Sequence, residues 1–585
     1  MAVSSSLKTP LTGQGLRRYF PFLDWLLHYR RSDLPNDLVA GLVTAIMLIP
    51  QSMAYAQLAG LPPQVGLYAS VAPLAIYALL GTSGQLSVGP VAITSLAVFA
   101  GVSALAEPGS SRYLELVLLL AFIVGLVKLL LGLLRLGFVM NFVSHPVLAG
   151  FTSASALIIA AGQLKHLLGY RIEGEHVHEI VLNAVAGVNQ TNPATLAIGA
   201  ISIALLILFR SQLKPLLQQR TRLPAAAVTL IVSGAPLVTV LLGILVSWFW
   251  RLNETAGVRV VGAIPQGFAP FTLPTLNAAD AQALLPTAMT IVFISVVESI
   301  AVAKALASKR RKAINADQEL VALGAANLTA SVTGGYPVTG GFARSVVNDQ
   351  AGAVTGLASL VTAAGIGIIV LWFTPLFYYL PQAVLAATVI VAVLSLFKPG
   401  EALRIWRMNR TDAVTWGVTF AVVLLFGIEA GILAGVVFAI LLFLWRTSRP
   451  HIAIVGRVGQ SEHFRNVLRH QVQTCPHVVA VRVDESLYFA NTRYLEDALL
   501  RIVAERPEVK HLVLIGSAIN FIDASAMETL ESLLHELRAA GVALHLADIK
   551  GPVMDQLQRA GFIDRLGAER VYLSTHQAMR ALECV

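Results

Sequence analysis

The sequence predicts a polytopic α-helical membrane protein of about fourteen spans, followed by a C-terminal α/β domain. Its residues are 56% hydrophobic and 13% charged, and the mean hydropathy is +0.71, which is typical of a chain embedded in lipid. Apolar runs long enough to cross the hydrocarbon recur between residues 38 and 445. After Arg449 the composition changes to that of a soluble domain.

The boundaries of these regions follow from the positions of the apolar runs. Residues 1–36 are polar and Arg-rich, unlike a cleavable signal peptide, and we expect them to be a cytosolic segment. The membrane domain is predicted to cover 37–447 and the soluble domain 448–585. The candidate spans are 38–58, 64–81, 88–105, 113–134, 144–163, 193–209, 224–249, 283–304, 318–333, 339–354, 355–375, 380–396, 412–428 and 430–445.

The distribution of basic residues predicts the orientation. Each basic cluster follows an even number of spans, so all share one side, which the positive-inside rule makes cytoplasmic. Both termini are then cytoplasmic, in a plasma or inner membrane. This pattern also explains the net charge of +9 without nucleic-acid binding. The clusters are Arg30 and Arg31, Arg210 to Arg222, Lys309 to Lys312, Lys398 to Arg410, and Arg446 to Arg449.

Two spans are interrupted at corresponding places. The third opens at Ser87-Val88-Gly89-Pro90 and the tenth at Tyr336-Pro337-Val338-Thr339-Gly340-Gly341. Each is third in a set of seven, as two inverted seven-span repeats would produce. Helices that begin in mid-bilayer, at Pro90 and Thr339, would direct free N–H groups and positive dipole ends at one place, which suits an anion. The alternative is a pair of Pro-kinked helices without a ligand.

Ionisable and amide side chains lie within the predicted spans. Glu298 is near the middle of the eighth span and Arg344 about one turn into the tenth, where they could neutralise one another or simply join two helices. Gln51 and Tyr55 offer neutral donors suited to an oxyanion, although a lone Gln often only links helices. Lys128 lies nearer a span end, where snorkelling explains it.

The C-terminal region alternates strand and helix patterns and therefore predicts a layered α/β domain of about 130 residues. Its two cysteines, Cys475 and Cys584, support no disulfide framework and fit a reducing compartment. The predicted strands are 477–483, 509–515 and 542–546, and the predicted helices are 493–504 and 524–539.

Several ordered motifs resemble those of the SulP sulfate permease family. They are PQSMAYAQLAGLPPQVGLYAS in the first span, SVGPVA in the third, VVESIAVAKALA in the eighth and YPVTGGFARSVVN in the tenth. The segment HLVLIGSAINFIDASAMETLESLLHELRAAGVALHLADIKGPV resembles the STAS domain of that family. The resemblance covers nearly the whole chain.

The resemblance implies a fold, a site and an assembly. Fourteen spans form two inverted repeats divided into core and gate domains, with substrate between the N-termini of spans 3 and 10, and homodimers are usual. Glu298 falls where relatives carry the acidic residue used for cation coupling. The implied substrate-binding residues are Gln51, Tyr55, Gly89, Pro90, Val91, Gly340, Gly341, Phe342 and Arg344.

This sequence departs from the family pattern in two places. Many members have serines in a TGSFSR-like motif where Gly341 and Ala343 stand here, so recognition would rely more on backbone N–H groups. Glutamate at position 298, rather than aspartate, favours proton over sodium coupling. In STAS relatives of the anti-sigma-antagonist type a serine matching Ser525 is phosphorylated; the alternative is an ordinary helix cap built by Asp523 and Ser525.

These features together predict a secondary active transporter that symports an inorganic oxyanion, sulfate first, with protons. Bicarbonate, with or without sodium coupling, a C4-dicarboxylate, and an anion channel on the same fold are the alternatives. The sequence contains no HExxH, no GxSxG and no metal-spaced Cys/His cluster, so we expect neither an enzyme nor a cofactor or metal. The expected partners are the anion, the coupling proton, membrane lipid and a second copy of the chain.

Overall fold

The computed structural model describes residues 20–137, 144–174, 176–213, 231–232, 234–311, 313–394 and 396–584. Several predictions fall partly outside these residues. They are the first part of the N-terminal segment, the basic cluster Arg210 to Arg222 with the start of the seventh span, Lys312 of the third basic cluster, Ser395 of the twelfth span and Val585 of the C-terminal domain.

Each of the fourteen predicted spans contains helix in the described part of the chain, and nine helical stretches there are long and apolar enough to cross a membrane. The spans, numbered in order, are Leu34–Leu58; Pro63–Tyr68 with Ala72–Leu80; Ala92–Ser103; Ser111–Leu133; His145–Gly162 with Leu164–Leu168; Pro193–Leu208; Ala235–Phe249; Ala278–Lys309; Ala316–Val332; Phe342–Gln350; Leu357–Ile368; Gln382–Leu394; Arg410–Phe426; and Ile428–Thr447.

Spans 3 and 10 are short because their first residues are extended rather than helical. Their helices have 12 and 9 residues and begin at Ala92 and Phe342, two and three residues later than predicted. Span 2 is broken between Tyr68 and Ala72, ahead of a proline in the first turn of its second half. The helix Phe22–Leu27 lies within residues 16–31, whose mixture of aromatic and basic side chains predicts a short helix at the membrane interface or packed on the protein itself. The sequence analysis missed the helices Val177–Ala186, Leu252–Thr255 and Pro399–Met408, which flank or connect spans.

Helix packing in the membrane domain repeats itself under exchange of the two seven-span halves. Span 1 packs on spans 10 and 11, and its counterpart, span 8, packs on spans 3 and 4. Likewise span 5 packs on span 13, and span 12 packs on span 6. These matched pairs are the packing expected of inverted repeats.

The chain divides into two compact units, Met1–Val437 and Phe438–Val585, with the division inside the helix of span 14. The predicted boundary at residue 447 stays a prediction. In the second unit a six-stranded sheet has the order β4-β3-β5-β6-β7-β8, in which β5 to β8 are parallel. The strands are β3 Ile452–Arg457, β4 Phe464–Asn466, β5 Val478–Val483, β6 His511–Ile515, β7 Ala543–Ala547 and β8 Val571–Tyr572.

The C-terminal unit contains the three predicted strands and the two predicted helices, Thr492–Ala504 and Ala524–Ala539. The sequence analysis did not predict the disulfide between Cys475 and Cys584, and its expectation of a reducing compartment stays a prediction. A separation of 109 residues hid this pairing from sequence reasoning. Three further helices follow: Gly551–Arg559, Phe562–Leu566 and Thr575–Ala581.

Candidate anion-binding site

The segments that precede the helices of spans 3 and 10 lie side by side. Strand β1, Val88–Gly89, pairs antiparallel with strand β2, Thr339–Gly340, and both strands are buried. Because each strand leads into a helix within three residues, the pairing brings two helix N-termini to one place inside the membrane domain. The antiparallel direction is what an inverted repeat requires.

Side-chain and backbone hydrogen bonds fix the two segments to each other. Gly341 N–H donates to the Ser87 carbonyl at 3.1 Å, and Ser87 N–H donates to Ser345 Oγ at 2.9 Å. The Ser345 hydroxyl in turn donates to the Gly341 carbonyl at 2.7 Å. The two half-helices are therefore held by a closed set of short contacts rather than by apolar packing alone.

Span 8 supports the second segment through its hydroxyl groups. Thr339 Oγ1 donates to the Ser295 carbonyl at 3.0 Å and so accepts from Ser299 Oγ at 2.8 Å. Ser299 Oγ also accepts the Gly340 N–H at 2.9 Å. Since Glu298 is the neighbour of Ser299, the same contacts fix the distance between the Glu298 backbone and the start of span 10.

These bonds correct one part of the predicted site. Gly340 and Gly341 were expected to present their N–H groups to the anion, but both groups donate within the protein. The first-turn amides of the two helices, from Ala92 and from Phe342 onward, lack intrahelical partners, and no side-chain hydrogen bond caps either helix. The available donors thus lie one or two residues further along each chain segment.

Arg344 places a guanidinium beside both N-termini. Its side chain is 2% exposed, and Nη1 donates to the Pro90 carbonyl across the site. Nε and Nη2 are buried and have no hydrogen-bond partner within the described residues. A Cβ at Gly341 would lie 2.9 Å from Arg344 Nη2, so any larger residue there would require the guanidinium to move.

Glu298 is the acidic group of the site, yet it does not form the predicted ion pair. Within the described part of the chain, the ion pairs closer than 4.0 Å do not include Arg344, and Glu298 Oε2 is buried without a hydrogen-bond partner. The two charges interact electrostatically across a gap instead. Buried polar atoms without a partner are rare in native structures, which makes Arg344 and Glu298 together a candidate binding site.

Three further predicted residues, Tyr55, Gln51 and Phe342, differ in their burial and in how they relate to Arg344 and Glu298. Tyr55 is buried and interacts electrostatically with Arg344 and Glu298. Gln51, also buried, lies one helical turn before Tyr55 on span 1, which places both on one helix face. Phe342 begins the helix of span 10, but its side chain is 54% exposed, so its contribution to the site would come from its backbone.

Two buried carboxylates that sequence reasoning missed support the ends of the same segments. Glu319 accepts four hydrogen bonds, from the Tyr77 hydroxyl, from the N–H and hydroxyl of Thr82, and from Ser83 N–H, at 2.6 to 3.1 Å. It therefore anchors the loop that enters span 3. Because Glu319 lies at the polar start of span 9, the sequence did not indicate that its side chain is completely buried.

Asp37 hydrogen-bonds the loop that follows the helix of span 10. It accepts hydrogen bonds from Val354 N–H, from the N–H and hydroxyl of Thr355, and from the Tyr29 hydroxyl, at 2.6 to 3.2 Å. The loop after the helix of span 10 is thus tied to the start of span 1. Asp37 and Glu319 thus each hydrogen-bond a loop next to one of the two interrupted spans.

Lys128 was expected to snorkel, and that expectation is wrong. Its side chain is 0% exposed, and Nζ donates to the Val338 carbonyl at 3.4 Å. Asn327 bonds the same residue from the other side, accepting from Val338 N–H at 2.9 Å and donating to its carbonyl at 3.0 Å. Both side chains therefore contact the residue that immediately precedes β2.

In the C-terminal unit, Ser525 occupies the second position of the helix Ala524–Ala539 and is exposed. The helix cap is Asp523, whose Oδ1 accepts the Ala526 N–H at 2.8 Å. The capping role is therefore carried by Asp523 alone, which leaves the Ser525 hydroxyl at the surface. Its phosphorylation stays a prediction.

The broken spans, their paired segments and the C-terminal α/β unit define a membrane transport protein with a STAS domain. Family models agree: that of the Sulfate permease family matches residues 34–419, and that of the STAS domain matches residues 469–578. The chain belongs to the sulfate permease family.

Individual relatives cover nearly all of the chain. "Sulfate transporter 4.1, chloroplastic" of Arabidopsis thaliana is 36% identical over 96% of this chain and 82% of its own length. "Probable sulfate transporter MT1781" of Mycobacterium tuberculosis is 33% identical over 94% of this chain and 96% of its own.

Solved structures share the fold at lower identity. The murine Slc26a9 anion transporter in its inward-facing state has a TM-score of 0.89 at 24% identity, covering 100% of this chain and 97% of its own. The transmembrane domain of the cyanobacterial bicarbonate transporter BicA has a TM-score of 0.57 at 21% identity, covering 70% and 98%. At these identities the likeness establishes the fold of the membrane domain and of the whole chain.

Proposed function

We propose that this protein is a secondary active transporter that carries an inorganic oxyanion, sulfate first, together with protons. One observation supports the proposal above all others: the Arg344 guanidinium is buried at two uncapped helix N-termini and has two nitrogen atoms without a partner. Buried polar groups are nearly always hydrogen-bonded. A tetrahedral oxyanion offers acceptors to the guanidinium and to the amides of both helices at once.

Glu298 supplies the coupling in this mechanism. An ionised carboxylate with a buried, unpartnered oxygen is costly inside a membrane domain, and protonation relieves that cost. An anion bound beside Arg344 repels the ionised form and so favours proton uptake. The fully loaded site, with anion and proton, is then the state in which the core moves most readily against the gate.

Sulfate is favoured over the other anions by the names of the relatives, since proteins of Arabidopsis and Mycobacterium that align over nearly the whole chain are called sulfate transporters. Bicarbonate transport, as in the name of BicA, rests on a likeness of fold. A channel on this fold would differ from a carrier in rate, and counter-flow of labelled sulfate against unlabelled sulfate separates the two.

The proposal includes an orientation and an assembly. Both termini and the STAS domain lie in the cytoplasm of a cell whose plasma or inner membrane holds the protein, as the basic loops indicate. Two copies form a homodimer, and phosphorylation of Ser525, which is exposed, would add charge to the STAS surface. Labelling of single cysteines introduced into the loops between spans, from either side of sealed vesicles, tests the orientation.

Uptake of labelled sulfate into proteoliposomes, with and without an inward proton gradient, tests the central claim. We expect the gradient to accelerate uptake several-fold and to drive accumulation above equilibrium. Sulfate uptake that ignores the gradient would remove proton coupling, and the absence of saturable sulfate uptake would remove sulfate as the substrate.

The variant Glu298→Gln separates binding from coupling. The amide imitates the protonated carboxyl, so we expect sulfate exchange to continue while the response to the proton gradient disappears. Glu115→Gln is the matched control, because Glu115 is an exposed carboxylate paired with Arg112 in the same unit. If Glu298→Gln keeps the full gradient response, Glu298 is not the coupling residue.

A further inference from the structure

The Lys128 side chain is a buried cation without a carboxylate partner. It is 0% exposed, and its one described hydrogen bond joins Nζ to the Val338 carbonyl at 3.4 Å. No salt bridge in the described part of the chain includes it. An ammonium placed in a membrane interior is costly unless another charge compensates it.

Close helix packing shields Lys128 from lipid and water. Span 4 contacts span 9 at two glycines, and a Cβ at Gly125 would lie 2.7 Å from Leu328 N while one at Gly324 would lie 2.6 Å from Leu129 N. Backbones this close leave no path for the lysine to extend to the interface. The ammonium is therefore held where it is, against the backbone of Val338.

The position of Val338 connects Lys128 to the candidate site. Val338 directly precedes β2, whose Thr339 pairs with Gly89 and whose Gly340 pairs with Val88. Lys128 thus contacts the residue that precedes β2, while Arg344 contacts Pro90, the residue that follows β1. Two buried basic side chains therefore contact the residues that flank the paired segments, and one of them, Arg344, keeps two nitrogen atoms without a partner in the described residues.

From this arrangement we infer that Lys128 is a specificity-determining residue that adjusts the site to divalent anions. Arg344 contributes one positive charge and Lys128 a second when its amine is protonated, and Glu298 contributes one negative charge when ionised. A divalent oxyanion together with a protonated Glu298 then leaves the site neutral, whereas a monovalent anion is balanced only when Glu298 stays ionised. The inference rests on the proposed function and refines its substrate class.

The consequence is a difference in selectivity that a structural role would not produce. Removing one positive charge weakens binding of a divalent anion more than that of a monovalent anion. The expected shift in relative affinity is on the order of tenfold, the factor that one unit of charge gives at roughly 10 Å in an effective dielectric of about 20. Lys128 acts through charge across the backbone and does not itself touch the anion.

Competition by unlabelled sulfate and by nitrate against labelled sulfate uptake, in the reconstituted full chain, tests this inference. We expect Lys128→Gln and Lys128→Met to lower the preference for sulfate over nitrate by about tenfold, and Lys128→Arg to retain it. Lys304→Met is the matched control, because Lys304 is exposed on span 8 of the same unit. It should leave the preference unchanged.

The outcomes distinguish a failure of the inference about Lys128 from a failure of the proposed transport function. An unmodified protein that takes up bicarbonate but not sulfate overturns both. An unmodified protein that takes up sulfate, with an unchanged sulfate preference in Lys128→Gln, overturns the role of Lys128 alone. If Lys128→Met cannot be purified, Lys128→Gln and Lys128→Arg still give the comparison, since glutamine retains a donor for the Val338 carbonyl.

Discussion

Two sets of buried polar side chains in the membrane domain differ in how completely they are hydrogen-bonded. Asp37 and Glu319 each accept four hydrogen bonds, from the loops at the ends of the broken spans. Arg344 and Glu298, in contrast, retain buried atoms without a partner in the described residues. An unsatisfied buried group costs about 1–3 kcal/mol. The first set therefore serves the fold, and we propose that a ligand completes the second.

The largest effect on stability should come from removing Glu319, a carboxylate of the fully hydrogen-bonded set. Glu319→Ala leaves the loop donors at Thr82 and Ser83 unpaired, and we expect a loss of about 3–5 kcal/mol, enough to lower the yield of folded protein sharply. Fluorescence-detected gel filtration after heating measures it. Glu115→Ala, which removes an exposed carboxylate, should be nearly neutral. A stable Glu319→Ala variant would contradict the distinction between the two sets.

Removing Arg344, a member of the unsatisfied set, should reduce transport without lowering stability. Arg344→Met is expected to reduce sulfate uptake at least about 100-fold, because a desolvated charge-assisted contact to the anion is lost, with the unfolding temperature unchanged or raised. Arg310 is the contrasting residue, since its Nε donates to Asp349 Oδ1 at 2.9 Å. Arg310→Met should lower stability and leave anion preference intact. If Arg344→Met unfolds the protein, its guanidinium belongs to the scaffold.

A smaller change should displace the guanidinium without removing it. In Gly341→Ala the new Cβ would meet Arg344 Nη2 at 2.9 Å, which is closer than such contacts allow. We expect the apparent affinity for sulfate to fall about tenfold, measured as the half-saturating concentration of uptake. Gly417→Ala is the control, because a Cβ at Gly417 has no neighbour within 4 Å. Equal affinities in the two variants would argue against the placement of Arg344.

The smallest effect concerns the stability of the C-terminal unit and its dependence on pH. It involves His545, which has a hydrogen-bond partner on only one of its two ring nitrogens. In the C-terminal unit His545 Nε2 is 3.0 Å from His511 Nδ1, whereas His545 Nδ1 is buried without a partner. Burial, and secondly His511, lower the pKa of His545 from 6.5 to about 4. The folded state therefore binds fewer protons than the unfolded state between these values, and stability falls as pH drops from 6.5 toward 4, by at most about 1.4 kcal/mol per pH unit.

Calorimetry of the full-length protein at pH 7 and pH 5 measures this loss for the C-terminal unit. His545→Gln should flatten the pH dependence, and the same change at exposed His535 should not. An identical slope in both variants would show that other groups cause the loss.

Sequence reasoning identified the features that depend on the local pattern of residues. Apolar length located the spans, and the Gly-Pro breaks located the two segments that form β1 and β2. Arg344 and Glu298 were found because charge is rare in such spans. What could not be predicted depends on neighbours from distant sequence: the burial of Lys128 requires the contact between Gly125 and Gly324, and the amides of Gly340 and Gly341 are occupied by Ser299 and Ser87.

The short pairing of β1 with β2 also affects how the chain can be made. Pro90 and Arg344, which meet across it, are separated by 254 residues, so the ribosome completes the first interrupted helix long before the second exists. Until then the extended peptide groups of Val88 and Gly89 lack their partner strand in a hydrocarbon environment, where unpaired peptide groups are unfavourable. We therefore expect the first half of the membrane domain to pass through a hydrated or chaperone-bound intermediate, and neither half expressed alone to form the pairing of β1 with β2.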